Sequence, residues 1–440
     1  MTKQIILFLT TIFIINFASA QSSQTQLYQY KLEKIEEKLL KPYISVRDSA
    51  KDLDLRGWYH FKLDHIDKAK ADFYTSISLD PFNQNTYYDL GVLFIKLKQF
   101  DSAFKMLGVA ISSSEKREKL YELKGNCLAE LKRYKEAVSC FTKAVELDSN
   151  YSLAFYNRCD AHFNLKDYRQ AICDCKQALD MTKNINSIFK KSDACSFIGS
   201  SYNELKQPDS SLFYYDIGIK EDSSLYCLNN KADVLAELKM YKKAHFIINK
   251  TIKLYPTSAI PFYTKSGIYA KQKNDKKQWY YLEKTLALNE EYIPAILDEA
   301  ALYKKNHFTT KALELNYKAI ALDSSKYKTY SNIATIYFNR KTKKDSVEYF
   351  YKKSIQLNSN DELVFNRLGN FYKFYNNDDS AILMYKKSIE INPEYTKPYQ
   401  HLAEIFMQRK EYETAKEFMQ KLKSLSRKQD EKKVISIPKK

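Results

Sequence analysis

Residues 118–151 read EKLYELKGNCLAELKRYKEAVSCFTKAVELDSNY. Two amphipathic helices are written in this stretch. The first sets Tyr121, Gly125 and Leu128 on one face. A polar break at Lys132-Arg133 leads to a second stripe at Ala137, Phe141 and Ala144. Apolar or small residues at i, i+3, i+4 and i+7 share one side of a helix. Neither helix can bury that side alone, so the unit needs neighbours.

The neighbours follow from Gly125 taken as an anchor. Equivalent positions fall at Gly57, Gly91, Gly125, Cys159, Gly199, Ala232, Ser266, Ala300, Ala334, Gly369 and Ala403. Most steps have the same length as that from Gly91 to Gly125, and all the anchors are small. The longest step, from Cys159 to Gly199, holds extra chain near positions 181–187. Twelve positions beyond most anchors stands another small residue: Ala69, Ala103, Ala137, Ala171, Ser211, Ala244, Ala312, Ser346, Ala381 and Ala415, with Gln278 as the exception. Four further on come Phe73, Leu107, Phe141, Ile248, Leu282, Phe350 and Tyr385. Small residues at matched points let two helix backbones approach, and bulky ones fill the next layer.

This pattern resembles the tetratricopeptide repeat, which runs aromatic, Leu-Gly, Tyr, Ala, Phe, Pro within each unit. The second unit quotes it with Tyr87, Leu90-Gly91, Phe94, Ala103 and Leu107. Pro81, Pro256 and Pro393 occupy the terminal proline position, where a helix must stop. The resemblance covers about residues 50–429. It implies an all-α, right-handed superhelical solenoid of about eleven helix-turn-helix repeats. Such an array grows by adding units, so 440 residues need not divide into compact domains.

The flanks read differently. Lys3, an apolar run from Ile5 to Phe17 and Ala18-Ser19-Ala20 have the order of a secretory signal peptide over 1–20. That run is short for a bilayer span of about 20 residues. The expected mature chain is exported, periplasmic or secreted, with no transmembrane span. Residues 21–49 are expected to hold a leader and a capping helix, and 430–440 a disordered basic tail. Seven cysteines lie between Cys127 and Cys227. Cys159, Cys175 and Cys195 fall at neighbouring positions, where a disulfide or a metal site would fit. For most of the seven, service as small buried apolar side chains is the favoured reading. No CxxC pair points to zinc.

The resemblance also implies that the first helix of each repeat lines a concave groove. In the early repeats that stripe collects Tyr88, Asp89, Glu122, Asn126, Tyr156, Asn157, Asp160, Asn230 and Asp233. In the late repeats it collects Lys304, Lys305, Arg367 and Lys373. The formal charge of +18 is carried mostly by the second half. A groove acidic early and basic late is therefore expected, with asparagine amides available to a peptide backbone. The chaperone-tail clamp of some family members is excluded, because Glu122, Asp193 and Phe197 stand where cations belong. No nucleotide loop, nucleophile elbow or HExxH helix occurs. The expectation is a non-enzymatic scaffold, without cofactor or metal, that binds a protein or peptide in its groove. The alternative is a binder of anionic polymer, envelope glycan or nucleic acid, through the basic half. No sequence-specific nucleic-acid contact is expected, while an anionic envelope surface stays open as a partner.

Overall fold

A computed structural model describes residues 23–40, 45–111, 117–181 and 189–435, with side chains through Arg427. The expected signal peptide and the end of the tail lie outside the described residues. So do residues 182–188, where the long step carries its extra chain. By its internal contacts the chain divides into two units, residues 1–234 and 235–440.

The first unit starts with α1 (residues 23–39), the expected capping helix. It continues with α2 (Val46–Lys62), α3 (Ile66–Leu79), α4 (Gln84–Lys96), α5 (Phe100–Ala110), α6 (Arg117–Glu130) and α7 (Tyr134–Leu147). Then come α8 (Ser152–Asn164), α9 (Tyr168–Met181), α10 (Lys191–Glu204), α11 (Pro208–Asp222) and α12 (Leu225–Glu237), within which the division falls. The second unit holds α13 (Tyr241–Leu254), α14 (Ala259–Lys271), α15 (Asp275–Leu288), α16 (Ile293–Lys305), α17 (Thr309–Leu322) and α18 (Tyr327–Asn339). It ends with α19 (Lys344–Leu357), α20 (Glu362–Phe374), α21 (Asp378–Ile391), α22 (Thr396–Gln408) and α23 (Tyr412–Ile435). The last helix thus runs past residue 430, where the sequence suggests a tail. Within each unit, first helices pack on the second helix of their own repeat and on the one before it. The fold is a solenoid of helical repeats.

The anchors explain the close packing. A Cβ added at Gly125 would lie 2.5 Å from the Phe141 ring, and one at Gly199 2.5 Å from Tyr215. Gly57 and Gly369 meet Phe73 and Tyr385 in the same way, at 2.8 and 2.6 Å. At four of the five glycine anchors the partner sixteen positions on is thus a ring, while Gly91 meets Leu107, and no glycine has a positive φ. Ser266 and Ala300 stand opposite the smaller Leu282 and Asn316, all of them buried. Tyr215, which the sequence pattern passes over, is one of the bulkiest fully buried side chains.

At Cys159 the pairing is covalent, with a disulfide to Cys175. Cys127, Cys195 and Cys227 are free and buried, as small apolar side chains are. Cys195 is thus not the third member of a bonded cluster. A salt bridge across the two helices recurs one position before the anchor. Arg56 grips Asp72 through two hydrogen bonds of 2.9 and 2.6 Å, and Arg158 grips Asp174 at 2.8 and 2.7 Å.

The turn between the two helices of each repeat is held by backbone geometry. The residue seven past every anchor has a positive φ, from Asp64 (63°) to Lys410 (63°), and eight of these eleven are lysines. Its successor closes the turn. Gln99 N–H donates to the Phe94 carbonyl at 2.9 Å, and Arg133 N–H to the Leu128 carbonyl at 2.8 Å. That closure is the usual glycine-type helix end, built here with a side chain present.

One position is corrected. Ser346 and Phe350 are expected in the small and bulky sites of the ninth repeat. Val347 and Tyr351 occupy them instead and are buried. The step from Ala334 to Gly369 is one position longer than most, and the extra residue falls in the turn before α19, where both Lys341 and Lys343 take positive φ. Everything after it in α19 is displaced by one position.

Candidate functional site

The inner stripe comprises the residues six and three before each anchor and those one and four after it, with those two before and five after beside it. In the first unit its centre is a polar network. Glu122 is buried, and its Oε1 accepts from Asn126 Nδ2 at 2.6 Å and Asn157 Nδ2 at 2.8 Å. Asn157 also donates to Asn126 Oδ1 at 3.0 Å, and the Tyr151 hydroxyl lies 3.4 Å from Glu122 Oε2. The stripe does bring Glu122, Asn126 and Asn157 together. It spends their donors on each other, so the expected row of free amides is not what forms here.

The acids beside this network are also altered. Burial, and then the Asp54 charge, push the Asp89 carboxyl up to about 8. Burial raises Asp54 to about 6, offset in part by a hydrogen bond with Thr86. Burial likewise raises Glu122 and Asp160, though Asn126 and Asn164 respectively work against it. Taking a carboxylate out of water disfavours its charged form. At Asp89 burial thus works against the negative charge expected of the early groove.

Aromatic residues line the same stripe. Tyr156 stacks on Phe189 with centroids 4.5 Å apart and meets Phe197 edge-on at 6.0 Å. Lys119 lies over the Tyr88 ring at 5.8 Å. Asn230 donates to Ser200 Oγ at 3.2 Å. Asp233 is half-buried.

The inner stripe of the second unit is cationic. Lys305 pairs with Asp275 at 2.5 Å and Lys373 with Glu404 at 2.6 Å, so two of the four expected cations are compensated. Lys304 and Arg367 are not: among the described residues neither has an acidic partner. Arg367 Nη1 donates to Ser331 Oγ at 3.2 Å, tying α20 to α18. Burial, and then the Arg367 charge, hold the Lys304 ammonium below its usual range. Two like charges share this part of the stripe with nothing to offset them.

Sequence reasoning missed Asp54, Tyr151 and Ser331. Asp54 and Ser331 each lie three positions before an anchor, so the same spacing would have found them had it been applied to every repeat. Tyr151 precedes its helix, at a position that a tyrosine fills again only at Tyr292 and Tyr395. Among the described residues, no three His, Cys, Asp or Glu gather where they could hold a metal ion. No described helix is long and apolar enough to cross a membrane.

Comparison with known proteins meets this geometry. The tetratricopeptide repeat signature matches residues 53–83, 119–151, 364–395 and 396–429. These segments include four of the anchors, in both units. The chain is a tetratricopeptide-repeat protein. A repeat protein of this kind from Parabacteroides merdae ATCC 43184 superposes with a TM-score of 0.51 at 15% identity, over 57% of this chain and 98% of that one. The tetratricopeptide repeats here also resemble a DnaJ homolog subfamily C member 3 homolog of Dictyostelium discoideum, 32% identical over 110 residues. That match covers 25% of this chain and 20% of the relative. The BBSome complex member BBS4 of Mus musculus is 30% identical over 99 residues, covering 21% and 19%. The chain thus spans about a fifth of the length of these curated relatives.

Proposed function

We propose that this tetratricopeptide-repeat protein is an exported scaffold that holds a protein or peptide partner along its inner stripe. An acidic group of the partner sits between Lys304 and Arg367. The uncompensated cation pair carries this reading. Holding two like charges together at a partly buried place costs free energy that an incoming carboxylate returns. Arginine offers a planar fork of donors, of which Ser331 engages one arm. The rings of the first unit suit protein contact as well. One relative is by description a member of a protein complex, which accords with a scaffold. Export is supported by the N-terminal pattern and by the Cys159–Cys175 disulfide, a bond that persists in oxidising compartments. We assign it no reaction.

The test is capture on an array of random and acidic peptides. Arg367→Ala and Lys304→Ala should each weaken binding of acidic peptides about tenfold, the scale of a lost charged contact. Undiminished binding by both would remove the site. The anionic-polymer reading is favoured by one observation, the charge of residues 235–440: 39 Lys and Arg against 23 Asp and Glu. Polymer binding should fall steeply with salt, whereas a peptide held by few charges should not.

A further inference from the structure

The second helices of the second unit carry two columns that those of the first unit lack. Fourteen positions past the anchor, α13, α15, α19 and α21 expose Phe246 (71%), Tyr280 (52%), Tyr349 (59%) and Leu383 (54%). The corrected register of α19 is what brings Tyr349 into line. Four positions further on stands a lysine in every second helix of this unit: Lys250, Lys284, Lys318, Lys353, Lys387 and Lys421. Residues i and i+4 share one face of a helix, so rings and ammonium groups lie side by side. Lys284 Nζ lies 5.7 Å from the centre of the Tyr280 ring.

The fold does not require this. At the first of these positions, four of the five second helices of the first unit hold Ala71, Lys105, Ser139 and Cys173, and only the fifth exposes a ring, Phe213. At the second position that unit has one lysine, Lys143, among Thr75, Val109, Gln177 and Ile217. Equivalent helices in one chain therefore tolerate small or uncharged residues there. Exposed rings in register are a cost that structure alone does not repay. Glu314 and, in α23, Glu417 take the place of a ring, and Glu390 pairs with Lys387 at 2.8 Å, yet the unit keeps its basic excess.

We propose that this outer face of the second unit docks on an anionic lipid surface. Rings and a leucine enter the boundary between headgroups and acyl chains, and lysines one turn away reach the headgroup charge. Basic residues near a negative leaflet add attraction that falls off with salt. Leu383 has no π-face for a base to stack on, so the column fits a bilayer better than a single-stranded nucleic acid. The inner stripe is not used, so this inference stands or falls apart from the groove.

Sedimentation of the full chain with mixed vesicles, two parts phosphatidylcholine to one part phosphatidylglycerol, tests it, with pure phosphatidylcholine as control. The expected result is binding to the anionic vesicles and at least tenfold less to the neutral ones. Phe246→Ser/Tyr280→Ser/Tyr349→Ser should cut anionic binding tenfold or more with peptide capture unchanged. Lys250→Gln/Lys284→Gln/Lys318→Gln should weaken it and flatten its salt dependence. Should the triple ring variant melt early, Tyr280→Ser and Leu383→Ser made singly must each lower binding at unchanged melting. Absence of binding by the wild type, equal binding to both vesicles, or full binding by the ring variants would each overturn the proposal. So would retention on immobilised polyphosphate or oligonucleotide without retention on vesicles.

Discussion

The two units solve the same packing problem with different residues. In the first, four of six anchors are glycines set against Phe73, Leu107, Phe141 and Tyr215, one is a cysteine bonded across the gap, and the last is Ala232. In the second, Gly369 is the one glycine anchor, and Ser266, Ala300, Ala334 and Ala403 hold the rest. The first unit concentrates its special features on its inner stripe, including a hydrogen-bonded Glu122 and an Asp89 whose carboxyl burial pushes up. The second sets cations on its inner stripe and a column of rings and lysines on its second helices. A repeat framework thus leaves two independent choices, how to fill the gap between helices and what to display beyond it.

Mutation can break that comparison at its strongest point. Phe141→Ala should lower stability by about 3–5 kcal/mol, as emptying a buried ring site does, measured by urea unfolding. Replacing both members of Cys159–Cys175 by Ala should cost about 3 kcal/mol for a loop of this size. Reduction of the wild type should match it, and an unchanged urea midpoint in dithiothreitol would refute the bond. Gly125→Ala should cost about 1–3 kcal/mol through overpacking. Adding Phe141→Leu to it should cost less than the two changes summed. Ala300→Gly in the second unit should show no such coupling with position 316.

Finer differences concern protons and turns. Asp89 titrates higher in the folded chain than its ordinary value near 3.9, so the folded state holds a proton that the unfolded state has lost. Its contribution is therefore most favourable at acid pH and declines as pH rises to about 8. Asp54 adds to the decline up to about 6. Asp89→Asn should flatten the urea midpoint between pH 5 and 8; a profile as steep as the wild type would contradict the burial argument. Last, Lys132→Gly should gain about 0.5–1 kcal/mol. A left-handed conformation costs a side-chain-bearing residue about 1–2 kcal/mol, and the freer glycine backbone offsets part of the gain.

How far the sequence reveals this molecule depends on whether a feature repeats. Anchors, ring partners and helix bounds recur, so a single well-read unit discloses the rest. Gly125 and Phe141 are legible as a pair from their spacing alone. The register of α19 is not, because an extra residue could enter anywhere between two anchors, and only the backbone at Lys341–Lys343 locates it. The inner acids fail for another reason. Asp89 and Glu122 count as charges in a sequence, but whether a carboxylate stays ionised depends on how much water reaches it. Asn126 and Asn157 look available because nothing in their spacing shows that each is already engaged. The lysine column of the second unit is open to the same repeat-by-repeat comparison, but it emerges only when every position of the second helix is compared in turn.

The Cys159–Cys175 bond has one further consequence. It closes a loop of 16 residues inside a single repeat and leaves every junction between repeats unlinked. Drawn out by its ends under force, the chain would pay out every repeat in full except this one. The bonded loop would withhold roughly 50 Å of contour, at about 3.3–3.6 Å per residue. A reductant added during the pull would release that length as one discrete increment.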